Sequence, residues 1–133
     1  NRSALIRVPA TRAGLEGAAR IELRCPDPSA NPYLAFAAML AAGMDGVDEN
    51  LAAPLPVNED VYLFDRQALQ ERAIDTLPGT LAEALDELEQ DEVLKEALGP
   101  SITETMLRAR RAEWDQYRIQ VTPWELERYL ETA

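Results

Sequence analysis

The sequence predicts an α+β fold, in which an antiparallel β-hairpin contributes to a larger sheet and several C-terminal α-helices cover it. Two short strand-like stretches, residues 3–8 and 20–25, predict the hairpin, and the second has a side-chain period of two. A long apolar run after residue 31 and repeated helix-start signals after residue 79 predict the helices.

Proline and glycine placement bounds the first two elements. Residues 3–8 end at Pro9 and are typical of a strand, and residues 10–19 contain Gly14 and Gly17 and are typical of a loop. A loop of this length favours an antiparallel hairpin over a crossover, which usually contains a helix.

The first helix is predicted by its start signal. Asn31 is a good N-cap and Pro32 a good first helical residue, and the helix is expected to reach about Gly46. It is apolar on nearly every side, so we expect it to be buried. Its uncharged part, residues 32–44, is too short to cross a bilayer.

The rest of the chain is predicted to be a long connection followed by capped helices. Residues 47–79 contain a predicted short helix near 65–72. Three capping boxes predict helices over 81–90, 102–119 and 123–131, and a further short helix over 91–98 stops at Gly99-Pro100. The boxes are Thr80/Glu83, Ser101/Glu104 and Thr122/Glu125.

Composition and charge exclude several classes of function. The 133 residues suit one globular domain, and the absence of histidine excludes a histidine-based triad or metal site built from this chain alone. Cys25 is the one cysteine, so no disulfide forms within the chain, which favours the cytoplasm; its place on the apolar strand face predicts a core position. A net charge of −11 argues against binding nucleic acid or anionic membranes.

Charge is unevenly distributed, and one strand face is the most informative feature. Residues 1–31 carry five arginines against three acidic side chains, which indicates a local anion site. Arg20, Glu22 and Arg24 share one face of the second strand. A carboxylate between guanidiniums suits a cation held beside an anion, as in a nucleotide–metal site. The alternative is a surface ion-pair ladder that contributes under about 1 kcal/mol.

Three runs of residues resemble the C-terminal third of a bacterial-type (type I) glutamine synthetase: 1–9 (NRSALIRVP), 20–24 (RIELR) and 26–35 (PDPSANPYLA). The likeness continues through 41–46 (AAGMDG) and 77–81 (LPGTL) and ends in 122–129 (TPWELERY). It implies that residues 1–133 are the C-terminal portion of a single catalytic domain whose N-terminal part is absent, and that this chain alone does not catalyse.

The resemblance implies an ATP-dependent ligase that joins ammonia to glutamate through a γ-glutamyl phosphate, with Mg²⁺ or Mn²⁺. Glu22 matches a metal ligand, and Arg24 matches the arginine that holds the carboxylate of glutamate. Arg2, the predicted catalytic residue, and Arg7 match arginines that contact ATP phosphates and the transferring phosphoryl group. Arg20 matches an arginine on the nucleotide side.

Three further expectations follow from the resemblance. Tyr62 lies in a connection where some relatives carry an adenylylated tyrosine, although the surrounding residues here differ. The final helix is expected to reach a neighbouring subunit of a double-ring dodecamer, or else to pack on its own domain. The alternatives for function are a γ-glutamyl–amine ligase of the same family, or a non-catalytic assembly module.

Overall fold

The computed structural model describes residues 3–10, 13–14 and 16–130 of the chain, with the side chain of residue 16 left out. These residues form two compact units, Asn1–Thr76 and Leu77–Ala133. Across the described part of the chain there are two short strands, two 3-10 turns and six α-helices, which confirms the α+β class. None of the helices in this part is long and apolar enough to cross a membrane.

A β-hairpin opens the first unit. Strand β1 (Ile6–Arg7) pairs antiparallel with β2 (Glu22–Leu23), in the register Ile6↔Leu23 and Arg7↔Glu22. The N–H of Arg24 donates to the carbonyl of Leu5 at 3.0 Å and extends the pairing by one bond. The ladder is shorter than the predicted strands, since the prolines at positions 9 and 26 cannot donate to it.

The loop between the strands holds the 3-10 turn Glu16–Ala18. On the face opposite Glu22, the side chains do not form the expected core. Ile21 is 65% exposed, and Cys25 is exposed too, so the prediction of a buried cysteine is wrong for this chain.

Helix α1 (Pro32–Asp48) begins as predicted, with the Asn31 side chain accepting the N–H groups of Tyr33 and Leu34 at 3.0 and 3.3 Å. It ends in a Schellman motif, in which Asn50 adopts φ 51°. None of its residues is buried, so the prediction of a buried helix is wrong for this chain. Its largest apolar side chains stay exposed: Tyr33, Phe36, Met39, Leu40, Met44 and Val47.

The connection after α1 contains the second 3-10 turn, Val61–Leu63, and helix α2 (Arg66–Glu71), which confirms the predicted short helix. The guanidinium of Arg72 lies 4.5 Å from the ring centre of Phe64 and joins the end of α2 to the end of the turn.

The second unit is helical. It contains α3 (Leu81–Gln90), α4 (Glu92–Leu98), α5 (Pro100–Tyr117) and α6 (Pro123–Tyr129). Leu85 on α3 and Thr103 on α5 are buried. Arg111 on α5 reaches α3, where it bonds Asp86 and, at 3.1 Å, Glu89.

The three predicted capping boxes differ in how far the structure confirms them. Thr122 and Glu125 form the complete predicted box. Thr80 caps α3, but the carboxylate of Glu83 accepts from the N–H of Gly79 instead of that of Thr80. The Ser101 box is wrong: Pro100 takes the first helical position, Gly99 at φ 77° is the cap residue, and Ser101 lies inside the helix.

Candidate active site

The hairpin places a carboxylate between two guanidiniums. Arg7 Nη1 donates to Glu22 Oε1 at 2.7 Å, across the ladder from the directly paired position. Arg24 Nη2 lies 3.7 Å from Glu22 Oε2, two residues along the same strand. The period of two in the sequence therefore explains the second contact, and the antiparallel register explains the first.

The arginines lower the pKa of Glu22. The hydrogen bond from Arg7 is the main cause that lowers the pKa of Glu22 below its ordinary value of 4.5. Partial burial opposes this effect, and the charges of Arg7, Arg24 and Arg20 add to it in that order. An ionised carboxylate is the form that binds a hard divalent cation.

The Glu22 side chain remains reachable. It is 35% exposed, while those of Arg7 and Arg24 are 41% and 33% exposed. The cluster is therefore half-buried, and each of its three side chains is partly accessible to a ligand.

The structure brings together some of the predicted site residues and not others. Arg7, Glu22 and Arg24 form one cluster, and Arg20, which is exposed and precedes β2, acts on Glu22 through its charge. Arg2 lies outside the described residues. Tyr62 is 81% exposed on the turn Val61–Leu63.

Sequence reasoning missed the direct pairing of Arg7 with Glu22. The strand pattern showed which residues share a face of one strand, but the partner strand adds its own residues to that face according to the register. A systematic comparison of the possible registers would have revealed one that sets these opposite charges side by side.

Glu22 fits one position in a metal site but does not complete a site. A carboxylate has about four lone-pair positions, and the 2.7 Å bond from Arg7 uses one on Oε1. The looser contact of Arg24 leaves Oε2 capacity for a cation. Within the described residues, no group of three or more His, Cys, Asp or Glu side chains is placed to hold a metal ion.

The chain matches known proteins of one family over almost its whole length. The family model "Glutamine synthetase, catalytic domain" matches residues 1–129. The glutamine synthetase of Methanocaldococcus jannaschii is 52% identical over 130 residues, which cover 98% of this chain and 28% of the relative. That of Thermus thermophilus is 48% identical over 132 residues, 99% of this chain and 29% of the relative.

A solved structure supports the fold as well. Apo GmaS without ligand superposes with a TM-score of 0.76 at 36% identity, over 98% of this chain and 28% of the GmaS chain. The chain thus spans a little over a quarter of the length of the proteins that it matches, 28% for both the first relative and GmaS. On the family match and these identities, the chain belongs to the glutamine synthetase catalytic-domain family.

Proposed function

We propose that the protein containing this chain ligates ammonia to glutamate, with ATP as the source of energy. The γ-carboxylate of glutamate attacks the γ-phosphorus of ATP, giving γ-glutamyl phosphate and ADP. Ammonia then attacks the acyl carbon, releases phosphate and loses a proton to give glutamine. The cluster of Arg7, Glu22 and Arg24 is the observation that carries this proposal within the family.

The arginines supply positive charge to a reaction dominated by negative charge. Phosphoryl transfer is catalysed largely by positioning and by neutralisation of the developing charge. Arg7 uses one donor on Glu22, and a guanidinium has five donors, so others stay available for phosphate oxygens. Arg24 is assigned to the carboxylate of glutamate, Arg20 to the nucleotide side and Arg2 to the transferring phosphoryl group.

Glu22 is assigned to a divalent cation, Mg²⁺ or Mn²⁺. Its ordinary pKa of 4.5 is lowered further, chiefly by Arg7, so the side chain is anionic at neutral pH. A bound divalent ion would neutralise phosphate charge beside the arginines. The other ligands would come from residues beyond those that the structure describes.

The chain is proposed to be the C-terminal portion of one catalytic domain, in a cytoplasmic double-ring dodecamer. The chain covers 28% of the length of its relative, which supports its being one portion of a larger domain. The exposed apolar side chains of α1 support the same proposal, because they suit an interior position in a larger domain. The single cysteine supports a reducing compartment. Adenylylation of Tyr62 stays a prediction; its exposure is compatible with access by a modifying enzyme.

The test is an assay of the full-length protein for γ-glutamyl transfer and for glutamate-dependent ADP release. Glu22→Ala is expected to lower kcat by about 10²–10³-fold, the usual loss for one transition-state contact. Glu87→Ala, an exposed glutamate on α3, is the matched control and should leave the rate unchanged. A near-normal rate for Glu22→Ala would refute the metal assignment.

The same assay separates the two ligases. Ammonia, methylamine and putrescine are compared as acceptors at equal concentrations of the free base. The proposal expects ammonia to give the highest kcat/KM, and a clear preference for either amine would replace it with the γ-glutamyl–amine ligase.

A further inference from the structure

A hydrogen bond of long sequence range links the hairpin to the connection that follows α1. The N–H of Val61 donates to Ser3 Oγ at 2.9 Å, across 58 residues of sequence, and the contact is partly buried. It joins the residue that leads into β1 to the first residue of the turn Val61–Leu63.

The turn has a specific need for this bond. The first N–H groups of a helical turn have no partner within it. Asp60 satisfies the next two, because its carboxylate accepts the N–H of Tyr62 and its carbonyl accepts that of Leu63, both at 3.1 Å. Ser3 satisfies the N–H of Val61, so the hydroxyl completes the start of the turn from a different segment.

The same hydroxyl fixes the approach to the charged cluster. Leu5 is held by the N–H of Arg24, and Arg7 is held by the ladder and by its bond to Glu22. Segment 3–7 is therefore fixed to β2 along its second half and to the turn at Ser3.

We propose that Ser3 is a positioning residue, whose hydroxyl ties the turn Val61–Leu63 to β1 and thereby holds the Arg7 strand in place for reaction with ATP. The kinetic part of this inference rests on the proposed function. Ser3 acts through the backbone of β1 and is not assigned any contact with substrate.

Four variants of the full-length protein test the tether. Ser3→Ala removes the acceptor, and Ser3→Thr restores a hydroxyl. Val61→Pro removes the donor, at a first helical position where proline is tolerated and after an Asp60 whose backbone is extended rather than helical. Ser101→Ala, an exposed serine inside α5, is the matched control.

Hydrogen exchange at the Val61 amide is the direct readout. Loss of one net hydrogen bond corresponds to about a tenfold change, so Ser3→Ala should speed this exchange about tenfold. Ser3→Thr should restore slow exchange, and Ser101→Ala should leave it unchanged. Unchanged exchange in Ser3→Ala would overturn the tether.

Kinetics decide the positioning role. Ser3→Ala is expected to lower kcat/KM for ATP roughly 3- to 10-fold. Ser3→Thr should recover the rate, and Ser101→Ala should leave it unchanged. Since both single variants break one bond, the double variant Ser3→Ala/Val61→Pro should be no slower than the slower single variant.

The outcomes distinguish this inference from the proposed function. Faster exchange with unchanged kinetics would overturn the positioning role, and fully additive losses in the double variant would overturn the shared bond. A parent protein without ligase activity would refute the proposed function and with it the kinetic role of Ser3, while exchange at Val61 would still decide the tether.

Discussion

Thr103 on α5 is 5% exposed, and among the described residues its side-chain oxygen has no hydrogen-bond partner. Its backbone N–H is bonded to the carbonyl of Gly99 at 3.1 Å, so the hydroxyl alone is at issue. A buried polar group without a partner costs about 1–3 kcal/mol. Thr103→Val keeps the β-branched shape and removes the oxygen, and we therefore expect it to raise the free energy of unfolding by about 1 kcal/mol.

Urea unfolding of the chain, followed by the fluorescence of its two tryptophans, Trp114 on the same helix and Trp124 on α6, measures this change. With an m-value of about 1–3 kcal/mol/M, the midpoint should rise by about 0.3–1 M. Thr105→Val, at an exposed position two residues further along α5, is the control and should stay within about 0.5 kcal/mol of the parent. A less stable Thr103→Val variant beside an unchanged control would show that the hydroxyl has a partner and would refute the reasoning.

The direction of several other effects is also fixed by the structure. Because the hydrogen bond from Arg7 lowers the pKa of Glu22, the stability contributed by this carboxylate is complete above pH 4.5 and is lost as pH falls through the lower folded value. Arg7→Ala should raise that pKa in a ¹³C carboxyl titration, and an unchanged midpoint would contradict the pairing. Ala73→Gly should stabilise the chain by about 0.5–1 kcal/mol in thermal unfolding, since Ala73 has φ 51° at the end of α2. Ala68→Gly, inside that helix, should instead destabilise by about 0.5–1 kcal/mol. Leu40 is 68% exposed, so Leu40→Glu should change the unfolding free energy of the 133-residue chain by less than about 0.5 kcal/mol. In the full-length protein the same variant should cost about 2–5 kcal/mol. Equal effects on the two proteins would refute an interior position for α1.

Local signals in the sequence predicted the parts of the fold that local forces determine. Asn31 followed by Pro32 predicted the start of α1, and Thr122 with Glu125 predicted that of α6, because in each case cap and helix lie within a few residues of each other. The predicted cap at Ser101 was wrong because two helix-start signals lie side by side. The helix begins at Pro100, which precedes Ser101.

Burial could not be predicted in the same way, because it depends on what else is present. Leu85 is the one buried hydrophobic residue among those described, and the apolar side chains of α1 lie exposed. The apolar pattern of α1 indicates that its side chains favour a protein interior. It does not indicate whether these 133 residues contain the elements that would cover those side chains. The prediction that Cys25 is buried was wrong for the same reason.

The contacts of the candidate site also differ in whether a local sequence pattern predicts them. The strand period placed Glu22 beside Arg24, whereas the bond from Arg7 depends on a register that no local signal encodes. The roles of these residues came from the resemblance, since a charged strand face alone is equally compatible with an ion-pair ladder.

The cluster differs in charge from the rest of the chain. Arg7 and Arg24 flank the single carboxylate of Glu22, and Arg20 lies close enough for its charge to lower the pKa of Glu22. Guanidiniums gathered on a chain whose net charge is −11 create a local positive potential, and such a potential attracts anions. Because the arginines are about one-third exposed or more, that attraction should weaken as salt concentration rises, whereas the backbone pairing of the hairpin should not.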